Sequence, residues 1–466
     1  MQHRLTPLST AFLDAEDAER NASLAIGSLA VFEGPAPAFT EVRDLIAGRL
    51  PLIPRYTQKL RTVPFDLVAP RWVDDPEFDL SWHVRATALP TPGGRDEIGH
   101  LMSRVMSRRM DRNRPLWEYW FVEGLAGGRW ALLSKLHHCM VDGVSGTDIY
   151  RLIFDAVRFP TKAPDGERPT DVEPVPAPLA RRALNELGRR PADVARIVVD
   201  AARSPGRVAR RTALTAAGLV HFGAAVGGLA DTSLTGPIGA SRRYAWTGVP
   251  LSAFAPIRHR FGVSLNDVAV AAVTAGFRDL LLARGEEPTA HTLRSLVPIS
   301  TRRPGEESIP DNRVAAVLPY LPVHLSGAEE RLLAVHEAIR SLWDSGEPAA
   351  SSAATSVSEH LPFAAVALGL RTGFHLPQHV VSTVTTNVPG PRAPLYACGR
   401  RLEEILPYVP IANRVRIGVA MFSYCDSFVF GVTADYRTVP DVGVLVDGTS
   451  SGFAELATLA AVHEHS

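Results

Sequence analysis

The first pattern along the chain is helical spacing. Val42, Ile46 and Leu50 share one face of Phe39–Leu50, and Ile98, Leu101, Met102, Val105 and Met106 share one face of Ile98–Met110. Both segments are predicted helices. The period then changes. Arg129–His138 alternates as a strand does, with Leu132, Ser134, Leu136 and His138 on one face and Ala131, Leu133, Lys135 and His137 on the other. A helix start follows, where Ser145 and Asp148 have the spacing of a capping box and Ile149, Leu152, Ile153 and Ala156 recur behind them. Residues 1–160 therefore read as one mixed α/β half.

Thr161–Pro178 is rich in Pro, Asp and Glu and reads as a linker. Leu179–Arg211 is basic, with nine arginines facing only Glu186, Asp193 and Asp200. Its apolar residues repeat at helical spacing (Ala180, Leu184, Leu187, then Val194, Ile197, Val198, Ala201). Such helices suit an anionic membrane surface, and equally a solvated crossover between two halves. A second half begins near Leu234. It reads as a helix within Val263–Ala283, strands at Leu293–Pro298, Asn312–Val323 and Val380–Asn387, a hairpin of Val415–Tyr424 with Phe428–Asp435, and a last helix within Val442–His463. The predicted division is 1–160, a crossover 161–233, and 234–466.

Composition narrows the classes. The chain has 466 residues, 46% apolar and 21% charged, enough for a full core in two or three domains. Its formal net charge is zero, so no overall basic field favours nucleic acid. Lysine occurs only at Lys59, Lys135 and Lys162. Cys139, Cys398 and Cys425 are few, odd in number and far apart, which points to a reducing, cytoplasmic setting without a disulfide framework. Met1–Asp17 lacks the basic-then-apolar order of a signal peptide. Thr212–Ala230, the nearest candidate for a membrane span, is mostly Ala and Gly with His221 inside it, too weak to cross.

The segment with the most chemistry is His137-His138-Cys139-Met140-Val141-Asp142-Gly143, set between the strand and the next helix. Loops held by rigid elements are where reactive groups tend to sit. Two adjacent histidines and an Asp could bind metal, but neighbours at a strand end point to opposite faces and no further His is close in sequence. Cys139 beside a His could be a nucleophile or a small packing residue. Ser264-x-x-Asp267 could cap a helix whose apolar face is Val268, Ala271, Ala272 and Ala275. Pro115-Leu116-Trp117 suits the lining of an apolar pocket, and equally a core.

The chain resembles the bacterial wax ester synthase/diacylglycerol acyltransferase family, part of the coenzyme A-dependent acyltransferase and condensation-domain superfamily with its His-His-x-x-x-Asp-Gly motif. The resemblance also rests on Arg114-Pro115-Leu116-Trp117-Glu118, Leu234–Gly239, Asn266-Asp267, Val297–Ser300 and Asn387-Val388-Pro389-Gly390-Pro391, all in the family's order. It implies two α/β (α+β) halves, each a mixed sheet with flanking helices, around a central tunnel. It implies acyl transfer from acyl-coenzyme A, a co-substrate rather than a bound cofactor, to a hydroxyl, with no metal. His138 is then the general base and His137 its support. Asp142 is a structural ion-pairing residue, with Arg55 or Arg302 as partner, and Gly143 gives the loop its tight backbone. Asn266 and Asp267 hold the second half at the channel or contact substrate, and Pro115, Leu116 and Trp117 line it.

The resemblance has local departures. Where the family opening is similar to Leu-Ser-Pro-x-Asp-x-x-Phe, this chain has Leu5-Thr6-Pro7-Leu8-Ser9-Thr10-Ala11-Phe12, with Ser9 in place of the Asp. Where the family has Gly-Asn after the Pro-Ile-Ser segment, this chain has Asp311-Asn312. The expected reaction is triacylglycerol formation from diacylglycerol, with long-chain alcohols giving wax esters by the same chemistry. Two alternatives stay open: transfer to another lipid or polyketide hydroxyl, and a non-catalytic lipid-binding paralogue. Contact with the inner membrane surface or a lipid droplet is an expectation carried by the basic crossover.

Overall fold

The computed structural model describes residues 5, 7–62, 69–141, 148–159, 232–300, 314–344 and 380–461. The basic stretch 179–211, the 212–230 segment, the Ser145 cap, Arg302 and the Asp311-Asn312 pair lie outside the described residues.

In the first half the helices are α1 (Pro7–Ala18), α2 (Phe39–Arg49), α3 (Leu80–His83), α4 (Arg95–Met106) and α5 (Asp148–Ile153). The strands, in chain order, are β1 (Ala25–Phe32), β2 (Gln58–Arg61), β3 (Arg71–Asp74), β4 (Val84–Ala88), β5 (Trp117–Glu123) and β6 (Trp130–His137). Then come β7 (Arg242–Pro250), β8 (Leu293–Ser300), β9 (Val314–Val317), β10 (Tyr320–Leu321) and β11 (Thr383–Val388). The last are β12 (Tyr396–Ala397), β13 (Arg400–Tyr408), β14 (Ile417–Tyr424) and β15 (Ser427–Asp435). The predicted helices at Phe39–Leu50 and Ile98–Met110 are thus present, the second shifted three residues toward the N-terminus and ending at Met106. The Asn312–Val323 region is two short strands rather than one.

Two mixed sheets organise the molecule. The first runs β12-β13-β1-β6-β5-β4, antiparallel except between β4 and β5. The second runs β10-β8-β11-β14-β15-β7, with β8, β11 and β14 parallel and β9 paired to β8. The first sheet is completed from far along the chain: β13 pairs with β1 from Gly27↔Tyr408 onward. Both neighbours of β1 are therefore fixed, and β1 in turn fixes β6, through Ala25↔His137 to Phe32↔Trp130.

Close packing explains why certain residues are small. A Cβ on Gly27 would lie 2.1 Å from the Ser134 carbonyl oxygen and 2.9 Å from Met106 Cε, so only glycine lets α4 and β6 close on this point. A Cβ on Gly431 would lie 2.1 Å from the Pro407 carbonyl oxygen, and the same oxygen accepts a hydrogen bond from Tyr244 Oη at 2.8 Å. There the second sheet meets the end of β13. Further bonds cross between the halves, from Arg242 to the Asn21 carbonyl, 2.7 Å, and from Asn21 to the Ile238 carbonyl, 3.0 Å. One core gathers residues of the first half with the strands of residues 395–429, and another lies between the second sheet and its helices.

Candidate active site

The alternation predicted for β6 places its side chains as expected. Ser134 hydrogen-bonds Ser28 on one face, while Lys135 reaches the opposite face and donates to the Val105 carbonyl at the end of α4, 2.9 Å. Burial pulls this lysine down to about 8. Its partners are carbonyls that close a helix terminus, which is the work of a cap. On the Ser134 face, Tyr150 of α5 donates to Ser28 Oγ at 2.6 Å, and Tyr56 and Tyr119 share a hydrogen bond of 3.0 Å. A cavity of about 10 Å³ among Ser28, Ser134, Tyr119 and Tyr150 has room for a single water and none for an acyl chain.

The strand ends at His137 and the chain turns at once into a single 3-10 turn, His138–Val141. Backbone bonds fix the change of direction. His137 N–H donates to the Leu116 carbonyl at 2.9 Å, and His138 N–H to the Leu24 carbonyl at 3.1 Å. The two rings then meet different surroundings. His137 is 1% exposed. Its Nδ1 accepts from the Cys139 amide at 3.3 Å and from the Cys139 thiol at 3.0 Å, which leaves the hydrogen on Nε2. Nε2 faces Glu16 Oε2 at 3.6 Å, beyond hydrogen-bond length but within the field of the carboxylate.

His138 is half-buried. Phe12 of α1 stacks on its ring, with centroids 3.8 Å apart and planes 24° from parallel. Burial, and after it the neighbouring His137, pulls the His138 imidazole down to about 4, so the ring is neutral at physiological pH. A neutral imidazole on a half-buried residue can take a proton. Cys139 is buried and its thiol is pushed far above its ordinary value by burial, so it stays protonated and a poor nucleophile.

Glu16 is the residue that sequence reasoning missed. Its burial works to raise its pKa, but His137, Arg112 and the Leu24 amide outweigh that and hold it at about 2. Arg112 donates to Glu16 Oε2 at 2.9 Å and to Asp17 at 2.8 Å, and Leu24 N–H donates to Glu16 Oε1 at 3.0 Å. The signal in the sequence was the four-residue spacing of Phe12 and Glu16, which puts both on one helix face.

The other candidate residues fall into two groups. Pro115, Leu116 and Trp117 are buried next to the His turn, and Leu116 lends it the carbonyl already described. Trp117 is 0% exposed, stacked between Tyr56 and His83 at 4.4 and 4.5 Å, with Nε1 donating to the Tyr56 carbonyl at 2.8 Å. Its surface is taken up by that stack. Asn266 and Asp267 begin the helix Leu265–Ala283 on the second sheet. Asp267 and Ser264 form the predicted capping box, and Asp267 Oδ2 also meets His336 Nδ1 at 2.8 Å. Asn387 Nδ2 at the end of β11 donates to Asn266 Oδ1, 3.2 Å. Asp142 and Gly143 lie outside the described residues, as do any contacts of Asp142 with Arg55 or Arg302. Arg55 itself lies over the Trp72 ring at 4.8 Å. Among the described residues no His, Cys, Asp and Glu side chains cluster in a way that could hold a metal, and no helix is long and apolar enough to cross a membrane.

Residues 5–269 match the wax ester synthase/diacylglycerol acyltransferase catalytic domain, and residues 311–457 the C-terminal domain of the same family. This chain belongs to the wax ester synthase/diacylglycerol acyltransferase family. It is an acyltransferase. A Mycobacterium tuberculosis H37Rv protein named probable diacylglycerol O-acyltransferase tgs1 is 41% identical over 460 residues, covering 99% of this chain and 96% of that protein. The fold is similar to that of the wax ester synthase/diacylglycerol acyltransferase from Marinobacter aquaeolei VT8, with a TM-score of 0.67, 25% identity, and coverage of 98% of this chain and 100% of that one. It is also similar to the starter condensation domain of rhizomide synthetase, solved in complex with C8-CoA. There the TM-score is 0.56 at 13% identity, over 98% and 94% of the two chains, a likeness of fold alone.

Proposed function

We propose that this acyltransferase moves a fatty acyl group from acyl-coenzyme A to the free hydroxyl of diacylglycerol, with His138 as general base. The observation that carries the reading is the half-buried His138 ring in the turn after β6, stacked under Phe12 and next to the buried Cys139 thiol. The acceptor oxygen attacks the thioester carbonyl carbon as its proton passes to a ring nitrogen of His138. The tetrahedral adduct collapses, the carbon–sulfur bond breaks, and the imidazolium returns the proton to the departing thiolate. Proton transfer of this kind contributes about 10²–10⁴-fold. Two observations support the donor and acceptor classes: a neighbour of the same fold was solved with C8-CoA, and the 41% identical relative is named for diacylglycerol.

The remaining residues take supporting parts in this reading. His137 holds the turn. Asp142 pairs with an arginine and Gly143 lets the loop fold back. Leu116 and Trp117 support the turn from behind, with Pro115 leading into them. Asn266 and Asp267, bonded within the second half to Asn387 and His336, take the part of holding that half at the channel or of contacting substrate. The halves are 1–160 and 234–466, joined by the crossover 161–233, whose arginines suit either contact with a membrane or lipid-droplet surface or a solvated connection. Long-chain alcohols are a second acceptor class, favoured by the likeness to the Marinobacter enzyme.

Labelled acyl-coenzyme A assayed against diacylglycerol and against long-chain alcohols, with wild type and His138→Ala side by side, tests the proposal. Label should move to diacylglycerol in wild type and not in the variant. Transfer at the wild-type rate by His138→Ala would refute the base assignment; no transfer by wild type to either acceptor would refute the substrate assignment.

A further inference from the structure

Nothing in the reaction scheme uses the first helix, yet it supplies the two side chains that meet the histidine pair. Phe12 and Glu16 lie one turn apart on α1 and point to the same place. Phe12 lies flat on the His138 ring. Glu16 is 2% exposed and binds the Leu24 amide through Oε1, while the Leu24 carbonyl accepts the His138 amide. One residue, Leu24, thus links the carboxylate to the backbone of the base through the peptide groups on its two sides. The other oxygen, Oε2, faces His137 and is held by Arg112. Arg112 also binds the Leu13 carbonyl at 3.2 Å, and Arg109 binds the Glu16 and Glu19 carbonyls, so the C-terminal turn of α1 is itself anchored.

We propose that α1 is a positioning element for the reaction: Phe12 covers one face of the His138 imidazole, and Glu16 fixes the His137 and Leu24 groups from which that imidazole is held. The inference rests on His138 being the base. Neither residue exchanges a proton with substrate. The physical argument has two parts. A ring covered on one face by an apolar side chain loses water on that face, which favours its neutral form. A base whose backbone is tied at the right place loses less orientation during transfer. Among the described residues, the charged and titratable groups near the turn include His137 and Cys139 within it, Glu16 and the buried Asp14 from α1, Arg112 after α4, and Arg55, whose charge reaches Cys139. Shortening Phe12 removes none of these groups, so that variant tests the cover on the ring by itself.

The test compares Phe12→Ala, Phe12→Leu, Glu16→Gln and His138→Ala by kcat, KM for acyl-coenzyme A, and the pH profile of kcat/KM. With Phe12→Ala the acid limb should move up toward the ordinary histidine value, about 6.5. Phe12→Leu should bring it back toward wild type. Glu16→Gln should lower kcat about tenfold, as loss of orientation does, while KM stays within about twofold. An active His138→Ala would remove the base itself and the inference with it. If His138→Ala is inactive while both Phe12→Ala and Glu16→Gln keep the wild-type kcat and acid limb, the positioning role is wrong and the base assignment survives. Should Glu16→Gln fail to fold, the half-exposed Phe12 decides alone through its pH profile, an unmoved limb overturning the proposal.

Discussion

The His137-His138 turn of the first sheet and the Asn266-Asp267 turn of the second are built alike and differ in chemistry. Each places two polar residues side by side where a β-strand or helix ends or begins. In each the buried member is spent on contacts. His137, 1% exposed, takes the Cys139 amide and faces Glu16; Asp267, 4% exposed, caps its helix and meets His336. In each the half-buried member is the freer one, His138 under Phe12 and Asn266 against Asn387. The difference is that an imidazole changes protonation near neutral pH and an amide does not. The lesson is that burial divides labour within an adjacent pair, and that of the two freer members only His138 can perform acid–base work.

Four measurements would break or sharpen that contrast. The largest effect is expected for His138→Ala, which should lower kcat by about 10²–10⁴-fold, while Asn266→Ala should leave proton transfer itself intact. Equal losses in both variants would show that the two turns do the same work. Next, Asp267→Ala removes a capping side chain and leaves His336 without its partner. It should lower thermal stability, the cap alone being worth about 1 kcal/mol, as read by denaturant unfolding. An unchanged unfolding midpoint would contradict the structural role. Third comes pH. His138 must be neutral to act, so kcat/KM should be flat through neutral pH and fall only as the ring protonates, near about 4. A limb near 6.5 would mean that the ring is wet. Acid also reaches Glu16, whose pKa is lowered on folding. Its contribution to stability is fully present above about 4.5 and is lost as pH falls through about 2. The smallest effect is expected for Cys139→Ala. Its protonated thiol supplies one contact to His137, so kcat should change by less than about threefold, a loss of one neutral hydrogen bond at most.

Much of the site was legible from local pattern. The period-two alternation of Arg129–His138 put His137 and His138 on opposite faces, and the coordinates keep Lys135 and Ser134 apart in the same way. The Ser264-x-x-Asp267 spacing foretold the capping box, and the hairpin of residues 415–435 pairs antiparallel as the turn at Cys425-Asp426 suggests. These features depend on neighbours a few residues away, so a short window of sequence contains their cause. The same holds for the family, whose motifs are short and come in a fixed order.

What the sequence by itself determined is therefore the His137-His138 segment, the faces of its strand and the kind of fold. What only the tertiary structure decided is which side chains meet that segment. Strand β13, more than 350 residues after β1 along the chain, comes back to flank it, and a carboxylate in the first helix meets a histidine over a hundred residues later. Such pairings carry no periodic signature, because the side chains meet through register and packing between elements that are remote along the chain. Glu16 looks like any surface glutamate in an amphipathic helix until α1 is laid against the turn and the water around its carboxylate is replaced by Arg112, Leu24 and His137.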